Sequence, residues 1–208
     1  MLAVADIARR QSEQLVVAFG GVGHGYGGIK GEFHQSLAKL GSSAVFVRDE
    51  ACRWYQYGPD ELQPIVDTIH AVRAEVGARR LVCLGNSMGG FGALLFGAWL
   101  GADAILSIVP QTAIEPEVTE ALGDTRYWSY QKDIPAYPHG DLLKEAPATG
   151  RVVMCWGVNH PLDCVHAERL VGAWDVETIT VDCDDHGVAW ELRERGQLLP
   201  LIEEVLGG

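Results

Sequence analysis

Residues 80–99 read RLVCLGNSMGGFGALLFGAW, and this stretch decides the fold. Its first five residues form an apolar run that is typical of a buried strand, and its last ten read as a buried helix. Between them stands Gly85-Asn86-Ser87-Met88-Gly89, a Gly-x-Ser-x-Gly pattern. Such a sharp turn between a strand and a helix strains its central residue and leaves no room for side chains on either side. The stretch therefore predicts that Ser87 is held above the sheet edge, over the positive end of the helix.

Outward from this turn, strand patterns alternate with helix patterns along most of the chain. Because this alternation demands parallel pairing through right-handed crossovers, we expect about six parallel strands with helices on both faces, in one domain spanning 1–208. The segment 110–150 is either a lid or an ordered surface loop packed on its own aromatic side chains. Strands are predicted at 15–19, 44–47, 80–84, 104–109, 152–156 and 177–181, and helices at 29–40, 60–76, 90–99, 161–173 and 188–206.

Composition excludes several classes of partner. The formal net charge is −12, and the 16 lysines and arginines do not cluster, which argues against nucleic acid and against anionic membranes. No apolar run reaches 18 residues, so no spanning helix is expected. The first ten residues are weakly amphipathic and do not look like a secretory signal. Five cysteines without a paired spacing predict free thiols and a cytoplasmic location.

From about residue 15 onward, the chain resembles the α/β-hydrolase superfamily. The resemblance depends on the Ser87 turn, on Gly20-Gly21 after the first strand, and on an acid and a histidine after the last two strands. It implies the α/β-hydrolase fold with a short lid-like insertion at 110–150. It also implies a serine hydrolase of the esterase type that needs no cofactor and acts on a small-molecule ester or acyl substrate. The oligomeric state is left open.

The resemblance also implies a catalytic triad whose members follow one another along the chain as nucleophile, acid and histidine. Ser87 would be the nucleophile, and His186 would be its base, since it follows the last strand. Asp163 follows the penultimate strand and would orient the imidazole. The acid commonly falls closer to the strand end, where His160 stands, and Asp163 could instead cap the next helix. The adjacent pair 184–185, both aspartates, competes for the same role.

An oxyanion formed during attack on a carbonyl needs preorganised donors. One would be the backbone N–H of Met88, the residue after the nucleophile. The second would come from Gly21 or Val22 in the glycine-rich turn after the first strand. His24, in the same turn, points into the site or is an ordinary loop residue.

Aromatic side chains near the predicted site suit an acyl chain, an aromatic ester or a sugar face. The candidates for substrate binding are Trp54 and Tyr55 after the second predicted strand and Trp128 in the insertion. Core packing is the competing interpretation for each. Three arginines could orient an anionic substrate or simply pair with nearby acids: Arg48, Arg53 and Arg126.

Other functions compete with hydrolysis. An acyltransferase or thioesterase would use the same triad, and a binding protein could keep the fold without the chemistry. Residues 23–28 contain Gly-x-Gly-x-x-Gly and are followed by Asp49, as in a dinucleotide-binding protein, but the glycines begin late after the strand. His160, Asp163 and His166 recur every three residues and could ligate a metal, although this spacing spreads them around a helix. We therefore expect no metal.

Overall fold

The structure is a computed structural model that describes residues 1–23 and 32–207. All its strands belong to one sheet, and the helices connect them in alternation. The strands are β1 (Leu2–Ala8), β2 (Gln14–Phe19), β3 (Ser43–Asp49), β4 (Arg80–Asn86), β5 (Ala104–Ile108), β6 (Arg151–Gly157) and β7 (Glu177–Val181). The helices are α1 (His34–Lys39), α2 (Pro59–Val76), α3 (Met88–Leu100), α4 (Pro116–Ala121), α5 (Trp128–Gln131), α6 (Pro161–Val171), α7 (Val188–Glu194) and α8 (Leu198–Gly207).

The strand order is β1-β3-β2-β4-β5-β6-β7, and β2 to β7 are parallel to one another. This confirms the six predicted parallel strands. The seventh strand, β1, corrects the interpretation of the first ten residues as only weakly amphipathic. It pairs antiparallel with β3 at the sheet edge, with an irregularity between Val4 and Asp6. Most of its residues are half-buried or exposed, so its apolar pattern is weak.

Helices pack on both faces of the sheet, as predicted. A Cβ added to Gly97 of α3 would lie 2.4 Å from Cδ1 of Ile105, so α3 lies directly on β5. On the other face, Ile202 and Val205 of α8 share an apolar contact region with Val82 and Leu84 of β4 and with Leu106 of β5. Successive residues of a strand point to opposite faces, which is why one strand can serve both helices.

The end of the chain differs from the prediction of one helix over 188–206. Two helices are present there, α7 and α8, because Gly196 adopts a left-handed conformation with φ of 69°. The backbone N–H of Gln197 then bonds back to the carbonyl of Leu192. This is a glycine C-cap, which ends α7 and lets the chain turn.

Segment 110–150 is an ordered insertion that contains α4, α5 and a short 3-10 helix, Leu142–Lys144. It is joined to itself by a bridge between Ala113 and Asp141, and Gln131 donates from Nε2 to the carbonyl of Ile114 at 2.9 Å. Both contacts lie within the insertion, and the bond from Arg169 of α6 to Asp141, at 2.9 Å, joins it to the rest of the domain. Within the described ranges, no helix has both the length and the apolarity that crossing a bilayer requires. The five cysteines are free thiols.

Candidate active site

The turn between β4 and α3 has the geometry that the glycine pattern predicts. Ser87 has φ of 57° and ψ of −122°, and its N–H bonds to the carbonyl of Ile108 at 2.8 Å. A Cβ on Gly85 would lie 1.9 Å from the oxygen of Gly89, and a Cβ on Gly89 would lie 2.1 Å from the oxygen of Phe19. Both contacts are with backbone, which cannot move aside. Glycine is therefore required on each side of the serine.

Ser87, His186 and Asp163 form one hydrogen-bonded series. The Oγ atom of Ser87 lies 2.8 Å from Nε2 of His186, and Nδ1 of His186 lies 2.8 Å from Oδ2 and 2.9 Å from Oδ1 of Asp163. A carboxylate can only accept, so the imidazole donates its Nδ1–H and presents an Nε2 lone pair to the hydroxyl. This arrangement can receive the proton of Ser87 during nucleophilic attack.

Asp163 is almost fully buried, at 1% exposure, and stands third in α6. His160 caps this helix instead, since its Nδ1 accepts the N–H of Asp163 at 3.2 Å. Nδ1 of His160 also lies 3.3 Å from Oδ2 of Asp163, but as an acceptor it is unprotonated, so this contact is no ion pair. Burial alone would raise the pKa of Asp163, but hydrogen bonds and charges from His186 and Arg126 outweigh burial and lower it.

The competing aspartates are placed differently. Asp184 and Asp185 are both exposed, and Oδ1 of Asp185 accepts the N–H of Gly187 at 2.6 Å. Asp185 therefore stabilises the turn that leads into α7.

An amide side chain that the sequence analysis did not single out, that of Gln111, lies beside both the nucleophile and its base. Nε1–H of Trp54 donates to Oε1 of Gln111 at 3.1 Å, and an indole N–H can only donate, so the orientation of the amide is fixed. Its Nε2 then lies 3.2 Å from Nε2 of His186, and its Oε1 lies 3.4 Å from Oγ of Ser87. The ring of Tyr127 packs on that of Trp54, with centroids 4.8 Å apart, and its centroid lies 6.4 Å from that of the His186 imidazole. The nucleophile is consequently enclosed, with only 9% of Ser87 exposed.

Arg126 of the insertion binds two carboxylates. Its Nη1 donates to Oδ1 of Asp163 at 2.8 Å, and its Nη2 donates to Oδ2 of Asp124 at 2.7 Å. Asp124 also lies 3.0 Å from Nε2 of His166, whose Nδ1 accepts the N–H of Thr112 at 3.1 Å. Arg126 therefore pairs with acids, which was one of its two interpretations, and it does so at the acid of the series.

The residues proposed for a metal site do not converge. His160 contacts Asp163, whereas His166 is 1% exposed and turned toward Asp124 and Thr112. Across residues 1–23 and 32–207, no three His, Cys, Asp or Glu side chains are grouped as metal ligands would be.

The predicted oxyanion donors differ in their present partners. Met88 is the first residue of α3, so its N–H has no acceptor within the helix and is available to a ligand. The N–H of Gly21 instead donates to Oε2 of Glu32 at 2.8 Å, a carboxyl whose pKa is raised by burial. Val22 follows in the same turn and remains a candidate second donor. His24 lies outside the described residues.

The three aromatic candidates for substrate binding have separate environments. Trp54 is fully buried and reaches the site through Gln111. Tyr55 is also fully buried, but it lies in the core, where its hydroxyl donates to the carbonyl of Gly20 at 2.9 Å. It therefore offers no surface to a substrate. Trp128 is 46% exposed, at the start of α5.

Backbone strain is concentrated around the site. The loop after β3 is held by Asp49, which is fully buried and accepts from the backbone N–H of Arg53 and Tyr55 and from the hydroxyl of Tyr57. These hydrogen bonds occupy the carboxylate of Asp49, which a dinucleotide-binding protein would use to bind the ribose. A positive φ at a non-glycine residue strains the backbone, and it persists where the surrounding contacts hold the residue in place, often at functional sites. Non-glycine residues with positive φ include Cys52, Trp54, Tyr55, Ser87 and Val109.

By sequence, the chain matches no protein-family model and no curated protein. By structure, it is similar to the capsule O-acetyltransferase of Neisseria meningitidis serogroup A, with a TM-score of 0.65 and 16% identity over 93% of this chain and 89% of that one. An esterase of Pyrococcus furiosus matches with a TM-score of 0.60 and 12% identity over 93% and 82%.

A third similar structure is a glycosylation associate protein complex from Streptococcus agalactiae, with a TM-score of 0.64 and 20% identity. The match covers 89% of this chain and 42% of that one, so the present chain spans less than half of its length. Likeness at these identities establishes architecture alone. The chain has the α/β-hydrolase fold, as the sequence predicted.

Proposed function

We propose that this chain is a serine hydrolase that cleaves carboxylic esters or related acyl bonds through a covalent acyl-enzyme. The observation that carries the proposal is the series of hydrogen bonds from Oγ of Ser87 through His186 to the buried carboxylate of Asp163. A serine hydroxyl is a weak nucleophile unless an adjacent base removes its proton, and this series supplies such a base. The strained turn that presents Ser87 gives independent support.

In the proposed acylation step, Oγ of Ser87 attacks the carbonyl carbon of the substrate while Nε2 of His186 takes the hydroxyl proton. Asp163 stabilises the resulting imidazolium through Nδ1. The negative charge on the carbonyl oxygen would be met by the N–H of Met88 and by a second N–H from the turn after β2, with Val22 as the candidate. His186 then protonates the leaving alcohol, and water releases the acyl group by the reverse sequence.

Transfer of the acyl group to an alcohol or amine is the second candidate function. One observation favours it, since Ser87 is only 9% exposed and its Oγ lies 3.4 Å from the amide oxygen of Gln111, which restricts the access of water. The O-acetyltransferase among the similar structures is consistent with this candidate. Hydrolysis and transfer share the acyl-enzyme and differ only in the acceptor.

A fluorophosphonate probe tests the shared intermediate directly, because it phosphonylates an activated serine. We expect labelling of Ser87, identified by peptide mass, and hydrolysis of a short-chain p-nitrophenyl ester. Ser87→Ala should abolish labelling and lower turnover by about 10³ or more. Ser107→Ala is the matched control, because that buried hydroxyl only donates to the carbonyl of Gly90 at 3.0 Å. Near-full ester turnover by the Ser87→Ala variant would refute the proposal.

The acceptor is tested by running the same ester with and without an added alcohol. If water is the acceptor, free acid forms at the same rate in both reactions. If an alcohol intercepts the acyl-enzyme, a new ester accumulates and the yield of free acid falls.

A further inference from the structure

The insertion supplies a cation at the acid of the proposed triad. Arg126 uses Nη1 to bind Asp163 and uses Nε and Nη2 to bind both oxygens of Asp124. The bond to Asp163 engages Oδ1 at 2.8 Å, whereas Nδ1 of His186 lies against both oxygens, 2.9 Å from Oδ1 and 2.8 Å from Oδ2. The arginine thus fixes the rotation of the carboxylate that orients the base. Nη1 of Arg126 also lies only 3.5 Å from Nδ1 of His186.

This proximity has an electrostatic cost for catalysis. A guanidinium beside His186 opposes the positive charge that the imidazole gains when it takes the proton of Ser87. Asp124 compensates that charge from the far side of the guanidinium, and its side chain is only 3% exposed. His166, which also contacts Asp124, is neutral in this arrangement because its Nδ1 accepts the N–H of Thr112.

The charges of the cluster can therefore be counted. Asp124 and Asp163 are carboxylates whose pKa values are lowered, although burial acts in the opposite direction, because hydrogen bonds from His166, His186 and Arg126 outweigh it. Arg126 contributes one positive charge. One negative charge remains at rest, and it is balanced when His186 becomes an imidazolium.

We propose that Asp124 and Arg126 form a charge-setting pair for the triad. In this pair Arg126 is a positioning residue that holds the carboxylate of Asp163, and Asp124 cancels the charge that the arginine brings. The inference rests on the proposed function, since it assigns a role toward His186 as base. It gives the 110–150 insertion a part in proton transfer that is separate from covering the site.

Two substitutions should shift the pH dependence in opposite directions. Arg126→Met leaves two carboxylates to stabilise the imidazolium, so the base stays protonated to higher pH. Asp124→Asn leaves the guanidinium uncompensated, so the base loses its proton at lower pH. The other polar groups near the imidazole are unchanged in both variants; they are Gln111, His160, Tyr127 and Ser87.

The experiment measures the second-order rate of fluorophosphonate labelling of Ser87 between pH 5 and pH 10, together with stability in urea. We expect the acidic limb to rise by about one pH unit in Arg126→Met and to fall by about half a unit in Asp124→Asn, the low end for charges at this range because Arg126 is partly solvated. We also expect the plateau rate of Arg126→Met to fall about tenfold, with partial rescue in Arg126→Lys, which keeps the charge but not the bidentate geometry.

Arg169→Met is the matched control. Arg169 also binds a buried carboxylate, Asp141, with Nη1 and Oδ1 2.9 Å apart, but neither residue contacts His186 in the described structure. This variant should lose stability and keep the wild-type pH profile. Acidic limbs that stay at the wild-type position in Arg126→Met and Asp124→Asn would overturn the inference. Acidic limbs that shift in the same direction in these two variants would also overturn it. If Arg126→Met does not fold, Asp124→Asn decides the matter, because an acidic limb that stays at the wild-type position in this variant would overturn the inference. Arg126→Lys, which keeps the charge, should then keep the wild-type limb and lose plateau rate only, and a wild-type plateau rate in Arg126→Lys would contradict the positioning role. Failure of the wild-type protein to label at Ser87 would instead refute the proposed function.

Discussion

Asparagine at position 163 would separate the shape of the proposed triad acid from its charge. In the native site, Asp163 accepts from Nη1 of Arg126 and from Nδ1 of His186, both at 2.8 Å. Asparagine has nearly the same volume but only one carbonyl oxygen. A guanidinium can only donate, so we expect that oxygen to face Arg126 and the amide N–H to face His186. The imidazole must then accept at Nδ1 and carry its proton on Nε2.

An imidazole protonated at Nε2 has no lone pair for the hydroxyl of Ser87. Loss of the correct tautomer in a serine triad lowers the rate by about 10⁴, which corresponds to about 5.5 kcal/mol of activation free energy. The effect on folding should be smaller. Arg126 keeps both bonds to Asp124 and a neutral acceptor at position 163, so we expect a loss of about 2 kcal/mol, below the ~3–5 kcal/mol of an abandoned buried charge.

The assay compares fluorophosphonate labelling rates and urea midpoints of Asp163→Asn with those of Asp185→Asn. The control removes the charge of Asp185, an exposed aspartate that precedes His186 in the chain. Its Oδ1 accepts the N–H of Gly187. We expect the control to label at close to the wild-type rate. Labelling of Asp163→Asn within tenfold of wild type would show that this carboxylate does not orient the base, and a large loss in Asp185→Asn would transfer the role to the competing aspartate.

Two further predictions concern stability. Gly85→Ala should cost more than about 3 kcal/mol or prevent folding, because its Cβ would meet the backbone oxygen of Gly89 at 1.9 Å, whereas Gly58→Ala, with open space around it, should change the urea midpoint little; equal midpoints would contradict the packing argument. Burial raises the pKa of Asp141, but bonds from Arg169 outweigh it and lower the pKa, so this carboxylate stabilises the fold above about pH 4 and its contribution is lost as the pH falls further. The unfolding free energy should therefore decline on acidification, less steeply in Asp141→Asn than in wild type, and parallel declines would refute this reasoning.

The central architecture could be predicted from sequence because buried parallel strands are continuous apolar runs with clear ends. β1 was missed because an antiparallel edge strand that is half-exposed has only a weak apolar pattern. Such a strand also needs no crossover helix, whose pattern would have indicated it. The division of the terminal helix was missed because the apolar spacing continues across Gly196. The left-handed conformation of that residue is a local property of the backbone.

Within the candidate site, the chain order of Ser87, Asp163 and His186 at strand ends carried the prediction of their proximity. Gln111 was missed, although a polar residue soon after β5 lies beside the end of β4 in the sheet, and that position was an available signal. The adjacent Trp54 and Tyr55 could not be told apart. Both have positive φ, so the strand rule that neighbours point to opposite faces does not assign one to the core and the other to the site.

The contacts of the insertion also bear on how a substrate reaches the nucleophile. The ring of Tyr127 lies beside the imidazole of His186, with centroids 6.4 Å apart, so we expect a bound acyl group to contact it. The backbone on both sides of Tyr127 is fixed, on one side by the two carboxylates that hold Arg126 and on the other by the buried amide of Gln131. Opening of the whole 110–150 segment would break the buried bond from Arg126 to Asp163, whereas rotation of the Tyr127 side chain would disturb only its ring contacts with Trp54, Arg126 and His186. We therefore expect access to depend on this side chain, with the insertion staying packed while the base remains oriented.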